Sequence, residues 1–423
     1  MNKKILQNLK NLCYITFILF KNFNYLFWQK DSLKFMKKLC RDLEQFNITY
    51  IKIVQGIAAN SLLFNDEQRE YLLDYTQQIP YTAQEIDLET LNKLENEEIQ
   101  FYNNKEPINS GIVAIVYKAS YKGKDVAIKV LKNNIEEKLK SALSDLDFIT
   151  YILEFIPFIN RLGLYNLFNL NQQNILDQVY FDKEVETLLT WKKYADRIDN
   201  FTIPYCYNEF TENYTNVIVM EFLKSKSLLS LTKDEKDQYI NTLMTIVFTN
   251  AFFHGIGHSD LHAGNVLFLE DNKLAYIDLG ITYKIDKVTQ NSIYNFYKES
   301  LINGNIKNCM EEIGNLLEPK EILNNLSNSH RNQLNLQLED SIFNYFIKNP
   351  NFTNFLYYVT NTLHKYNLKL SKGFSEIIFS VSSGLHLSFA LLDQSVDSFE
   401  KEYNRICNEV IKNLISEIDF SLD

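Results

Sequence analysis

Residues 258–280 read HSDLHAGNVLFLEDNKLAYIDLG. Val266–Leu269 and Leu274–Ile277 are apolar runs of strand length, and the polar Glu270–Lys273 between them suits a turn. Antiparallel pairing about that turn predicts that Asn265 and Asp278 stand side by side at its open end. An amide oxygen and a carboxylate there are hard ligands, suited to Mg2+ already chelated by the phosphates of a nucleotide. Asp260, five residues before Asn265, can face the same point while staying off the metal. Gly280 lets the backbone turn after Asp278. Singly, each residue has an ordinary explanation: an Asp before a strand caps a turn, and a lone His is a core or surface hydrogen-bonder. Together, His258, Asp260, Asn265, Asp278 and Gly280 have the layout phosphoryl transfer needs. One carboxylate orients or deprotonates an acceptor, and metal ligands neutralise phosphate charge.

Such a site also needs a lysine on a buried strand to hold the α- and β-phosphates, and a carboxylate to aim it. Residues 112–131, IVAIVYKASYKGKDVAIKVL, are two β-rich runs joined by Lys-Gly-Lys-Asp, which predicts a hairpin. Its second strand, VAIKV, carries Ala127 and Lys129 among apolar neighbours. The stretch NSGIVA at 109–114 is the candidate phosphate loop, with Asn109, Gly111 and Ala114 at the three glycine positions and Ser110 and Val116 beside them. For the aiming carboxylate the helical FDKEVETLL offers Glu184 and Glu186, of which Glu184 is taken as the partner. Adenine would lie along the backbone at Glu221, Phe222 and Leu223, after the strand NVIVMEF.

Around these motifs, residues 42–100 read as helix, 135–200 return to helix, strands are expected at about 203–210 and 217–222, and the chain beyond 235 is helical except around 266–278. The apolar stretch Ile377–Leu392 contains Ser, Gly and His and reads as a core helix. With 423 residues, 46% hydrophobic and 23% charged, the chain can bury more than one core. Five scattered cysteines without CxxC spacing argue against a disulfide scaffold or a zinc site and fit a reducing compartment. The net charge of −10 is uneven: residues 1–41 hold nine Lys or Arg and one acid, net +8, which leaves −18 on the other 382. No basic stripe marks the folded part, so nucleic acid is not an expected partner. The basic N-terminal stretch is interleaved with aromatics. It reads either as a peripheral membrane contact through residues 1–41 or as a helix packing its aromatic face on the main domain.

These motifs resemble the UbiB/AarF-type atypical kinases, a protein-kinase-like family tied to ubiquinone and isoprenoid-lipid metabolism. YIKIVQGIAANSLLFNDEQREYLLDYTQQIP, at residues 50–80, is similar to that family's helix pair with a Lys-x-Gly-Gln motif, which folds over the active site. Lys52 and Gln55 match its lysine and glutamine, and Val54 replaces the glycine. EPINSGIVAIVYKA resembles the family's alanine-rich loop, VAIKV its lysine strand, and HSDLHAGN with IDLG its catalytic and metal motifs. Three departures stand out: the glycine-type loop, the valine at 54, and Gln178-Val179-Tyr180 where the family has Glu-x-Asp. In the family that motif is expected to hold the Lys-x-Gly-Gln lysine.

The resemblance implies an α+β, bilobal protein-kinase-like fold, with a helical N-terminal extension over the active site and a mostly helical C-terminal lobe. The segments expected are a basic aromatic 1–41, a helical extension 42–106, a nucleotide-binding lobe 107–223 and a C-lobe 224–423. It implies an ATPase or phosphotransferase using ATP (or ADP) and Mg2+ on a small lipid-like acceptor or regulator. Asp260, Lys129 and Glu184 would be catalytic, Asn265 and Asp278 metal ligands, and Lys52 and Gln55 regulatory. An intracellular location is expected, cytoplasmic or at a membrane surface. Two other readings stay open: a nucleotide-binding pseudokinase scaffold without turnover, and an aminoglycoside- or choline-phosphotransferase relative.

Overall fold

The computed structural model describes residues 10–11, 13–18, 21–22, 25, 31–47, 49–51, 71, 81–153, 172–173, 175–348, 352–392 and 405–416. The chain divides into two compact units, one of residues 1–192, 204–223 and 278–281, the other of 193–203, 224–277 and 282–423. Helix and sheet are mixed in both. Among the described residues the strands are, in chain order, β1 (Ile99–Phe101), β2 (Pro107–Ser110), β3 (Ala114–Tyr121), β4 (Lys124–Leu131), β5 (Phe201–Thr202), β6 (Val217–Glu221), β7 (Ile256–His258), β8 (Val266–Phe268), β9 (Leu274–Tyr276), β10 (Thr282–Lys284), β11 (Leu317–Glu318) and β12 (Lys369–Leu370).

The first unit is organised by the β3–β4 hairpin, which pairs from Ala114↔Leu131 to Tyr121↔Lys124. Its turn is the dipeptide Lys122-Gly123, both at positive φ (49° and 76°), which matches the twist of a two-residue hairpin and is why a glycine sits there. β6 pairs with the far side of β4, setting Ile218 opposite Lys129 and Met220 opposite Ala127. β1 and β2 share the outer edge of β3, all antiparallel. Period-two alternation turns Ile115, Tyr117, Ile128 and Val219 to one face, where they bury Leu91 and Leu94 of the Leu88–Asn96 helix. Full burial of each such leucine contributes about 1.5–3 kcal/mol. That helix starts where it does because Asp87 accepts the Thr90 N–H, and Asn216 at the head of β6 donates to the same carboxylate at 2.8 Å. The opposite face of the sheet carries Val116, Ala127 and Lys129.

A second core in this unit joins Ile112 and Val113 to Leu139 and Leu143 of the Ile135–Leu153 helix and to Ile15, Ile18, Met36 and Leu39 near the N-terminus. Met36, Leu39, Cys40 and Leu43 form an apolar stripe along the Ser32–Asn47 helix. Asp145, 2% exposed, accepts from Asn11 Nδ2 and Tyr50 Oη at 2.7 Å each, so the buried carboxylate is hydrogen-bonded rather than bare. The described part of the basic aromatic segment therefore packs an apolar face, while Tyr14 and Phe17 stay exposed.

In the second unit, β8 and β9 pair antiparallel and β5 joins β9 in parallel. The surrounding helices include Lys233–Thr249, which opens on a Thr232/Glu235 capping box, and Lys372–Leu392, whose Ile377, Val381 and Leu385 are buried. The Ile377–Leu392 stretch is thus a core helix. No helix among the described residues is long and apolar enough to cross a membrane.

Four sequence expectations change. The strand expected at 203–210 is absent: β5 ends at Thr202, Cys206 makes a single bridge to Met220, and Asn208–Asn213 is helix. Phe210 is buried there, and Thr211 Oγ1 donates to the Val217 carbonyl, which together fix the turn of helix. Residues 42–100, and with them the 42–106 extension, are not helical throughout, because Ile99, 1% exposed, anchors β1 in the sheet. Asn109 and Ser110 lie in β2 rather than in a loop, opposite Val116 and Ile115. The chain after 235 also carries β7, β10, β11 and β12. β7 tolerates no side chain at residue 257, where a Cβ would fall 2.0 Å from the Tyr283 ring on β10.

Candidate functional site

In the first unit, Lys129 Nζ sits 2.8 and 2.9 Å from the two oxygens of Glu184 and 3.2 Å from Asp278 Oδ2. β4 delivers the lysine, the first turn of the Phe181–Ala195 helix delivers Glu184, and residues 278–281 deliver Asp278. Phe181, fully buried, lies under the ammonium with its ring centroid at 5.3 Å. Of the two carboxylates offered by the helix, Glu184 is buried and Glu186 is exposed, so the side chain at 184 is the partner. Exposure grades outward across the cluster, from 3% for the Glu184 side chain through 14% for Lys129 to 39% for Asp278.

The electrostatics follow from one cation between two acids. Burial pushes the Glu184 carboxyl up to about 7; Asp278 adds to the shift, and the Lys129 ammonium and the Leu279 backbone N–H work against it. Burial alone would weaken the Lys129 ammonium, but Asp278 and Glu184 outweigh it and hold its pKa above that of an ordinary lysine. Asp278 is braced locally, its Oδ1 accepting the Gly280 N–H at 2.9 Å.

Val116, Ala127 and Lys129 share one sheet face, as the register Val116↔Lys129 requires. Gly111 closes a tight β2–β3 connection, its N–H donating to the Ala114 carbonyl at 2.9 Å, and it is not at positive φ. The tip residues Ile112 and Val113 are buried in the second core. Glu221 ends β6, the Phe222 N–H donates to the Asp125 carbonyl at 3.1 Å, and Leu223 is half-buried. Lys118 Nζ stands 4.4 Å from the centre of the Phe222 ring.

In the second unit, the loop 258–265 is held by neutral hydrogen bonds. The Asp260 N–H donates to His258 Nδ1 and the Gly264 N–H to His262 Nδ1, each at 3.0 Å. Both imidazoles thus accept at Nδ1, which in a neutral ring leaves the proton on Nε2. This is the reason for two histidines in eight residues: each fixes the backbone two positions on. His258 is 1% exposed and packs edge-on against Tyr276. Asn265 Nδ2 donates to the Asp260 carbonyl at 2.9 Å, so the amide nitrogen is engaged and Oδ1 is the atom that could serve a hard cation. The Ile277 N–H donates to the Asn265 carbonyl at 3.0 Å, extending the β8–β9 pairing to the residue before Asp278. Lys52, Val54 and Gln55 lie outside the described residues.

Sequence reasoning passed over Phe181, His262 and Gln178. No sequence signal marks the role of His262, which accepts the Gly264 N–H two residues on. Gln178 had been counted only as an absent acid.

A strand lysine ion-paired to a helix glutamate and to an aspartate of the Ile-Asp-Leu-Gly type, with a His-x-Asp-x-x-x-x-Asn loop, defines a kinase-like protein. Residues 74–313, more than half of the chain, match the ABC1 atypical kinase-like domain, and the chain belongs to that family, to which the aarF-domain and UbiB proteins also belong. An uncharacterized aarF domain-containing protein kinase of Arabidopsis thaliana, named as chloroplastic, is 28% identical over 274 residues, 60% of this chain and 49% of that one. A Shewanella baltica protein named a probable protein kinase UbiB is 25% identical over 272 residues, 59% of this chain and 48% of that one. The chain thus spans about half the length of the curated relatives it matches. A solved Mycobacterium tuberculosis protein, determined with erythromycin, has a TM-score of 0.49 at 16% identity, covering 88% of this chain and 99% of that one.

Proposed function

We propose that the chain is a bilobal, Mg2+- and ATP-dependent atypical kinase or ATPase acting on, or regulated by, a small lipid-like molecule. The observation that carries this reading is the Lys129–Glu184–Asp278 cluster, because three charged groups gathered on one sheet face cost folding free energy that packing alone does not require. The donor set suits the group: an excess of carboxylate around one ammonium favours a further cation, and the Asn265 amide oxygen is a hard ligand. When bound, Mg2+·ATP supplies a transferable phosphoryl group whose charge the metal neutralises. Lys129, aimed by Glu184, holds the α- and β-phosphates; Asn265 and Asp278 hold the metal; Asp260 orients the acceptor or takes its proton. The sheet face of Val116 and Ala127 and the backbone at Glu221–Leu223 accept the base. Lys52 and Gln55 gate access, and residues 1–41 supply any membrane contact. The lipid assignment rests on the UbiB resemblance.

Thermal unfolding with ATP, ADP and Mg2+ in all combinations, beside Asp278→Ala and Asn265→Ala, tests the reading. A ligand at ~100 times its Kd stabilises the fold by about 2.7 kcal/mol. The wild type should shift with Mg2+·nucleotide, and both variants should lose the metal dependence. No shift with any combination would sink it. A metal-dependent shift without hydrolysis or transfer would select the pseudokinase scaffold, which the Lys129–Asp278 ion pair also favours, since the metal must then share Asp278 with the lysine.

A further inference from the structure

Gln178 lies in the short turn that leads into the Phe181–Ala195 helix. The residues on either side pin it: Val179 is buried in the second core, and Phe181 is fully buried beneath Lys129. Its side chain reaches the charged cluster. A Cβ placed on Gly280 would lie 3.1 Å from Asp278 Oδ1, 3.7 Å from Gln178 Cγ and 3.8 Å from Glu184 Oε2, so the three side chains converge on one point.

The amide nitrogen of Gln178 is buried and has no hydrogen-bond partner among the described residues. A buried donor beside two carboxylates would ordinarily bond to one of them. Here those acceptors are already served. Both Glu184 oxygens accept from Lys129, and the Leu279 N–H adds a further bond. Asp278 accepts from Lys129 on Oδ2 and from Gly280 on Oδ1. The amide is a donor left over in a cluster whose anions are spoken for, and a buried donor without a partner among the described residues is one that a ligand oxygen can satisfy.

We infer that Gln178 is a further nucleotide-binding residue, its amide N–H group donating to a phosphate oxygen of the bound nucleotide beside Lys129. This rests on the reading of the cluster as a phosphate site. The chemistry suits the place: a third carboxylate at 178 would repel a phosphate, whereas a neutral amide adds a donor without adding charge.

The test compares wild type, Gln178→Leu, Gln178→Glu and Asp278→Ala for binding of Mg2+·ADP, Mg2+·ATP and adenosine, by displacement of a fluorescent nucleotide from the full chain. Gln178→Leu should weaken both phosphate-bearing ligands roughly tenfold and leave adenosine unchanged. Gln178→Glu should weaken them further. Gln178→Asn keeps the donor with a shorter reach and stands in if leucine does not fold; it should lose affinity for the phosphate-bearing ligands alone. Wild-type affinity for ADP and ATP in Gln178→Leu would overturn the inference while leaving the phosphate site standing, as would an equal loss for adenosine. If the wild type itself binds neither nucleotide, the proposed function falls and the inference falls with it.

Discussion

The Lys129 cluster and the 258–265 loop place acidic side chains by opposite means. Lys129, Glu184 and Asp278 hold one another by charge, at 2.8–3.2 Å and largely out of water. The loop is fixed mainly through its backbone: the Asp260 and Gly264 N–H groups donate to the imidazoles of His258 and His262, the Asn265 amide donates to the Asp260 carbonyl, and His262 Nε2 lies 3.8 Å from Asp260 Oδ2. A charged assembly is sensitive to pH and above all to the loss of its one cation, Lys129, because the two carboxylates then face each other uncompensated. A neutral scaffold loses only the bond removed and the volume vacated.

Breaking the charged side should give the largest effect. Lys129→Met leaves Glu184 and Asp278 facing each other without a cation, and chemical denaturation should show a loss of about 3–5 kcal/mol. Combining it with Glu184→Gln should restore part of that loss, the signature of an ion cluster rather than a packing site.

On the neutral side, His258→Ala removes a buried ring and the acceptor for the Asp260 N–H. Denaturation should register a loss of about 3 kcal/mol. His262→Ala, at a less buried position, should cost about 1 kcal/mol. Equal losses at the two positions would mean that the hydrogen bond, and not burial, dominates.

The pH dependence sharpens the contrast. The folded-state pKa of Glu184 is raised from 4.5 to about 7, so its contribution to stability is complete below the lower value and is lost as pH rises through the upper. Across that window the wild type should lose about 3 kcal/mol relative to Glu184→Gln. A flat difference would show that Glu184 is ionised throughout. The smallest effect is expected at Gly111, where a Cβ would meet only the Ala114 carbonyl at 3.8 Å. Gly111→Ala should change stability by less than ~0.5 kcal/mol; a larger change would mean that the connection adopts a second conformation.

The sequence made the charged half easier to read than the neutral half. Lys129 announced itself as a charge in an apolar strand, and the hairpin around it had both alternation and a turn dipeptide. Glu184 was separable from Glu186 only by burial, which depends on tertiary packing. The 258–265 loop was recognised by its spacing, yet the work of its histidines was not, because accepting a backbone N–H two residues on leaves no trace in composition. β7 and β10 were missed because three residues show no period and because Gly257 reads as a breaker until Tyr283 is seen lying over it. Residues 203–210 looked β-rich, but a helical turn won there once Phe210 found the core and Thr211 found a carbonyl. Gln178 became visible only when its neighbours' hydrogen bonds had been accounted for.

The core that receives Ile112 and Val113 bears on what is inherited and what folds. The ABC1 match begins at residue 74, whereas those two side chains are buried with Ile15, Ile18, Met36, Leu39 and Ile51. An excision at the edge of the match would cut through a hydrophobic interior and leave an apolar wound beside the loop that precedes β3. The stretch by which kinship is recognised is therefore shorter than the stretch that must be made together for its sheet to be sealed.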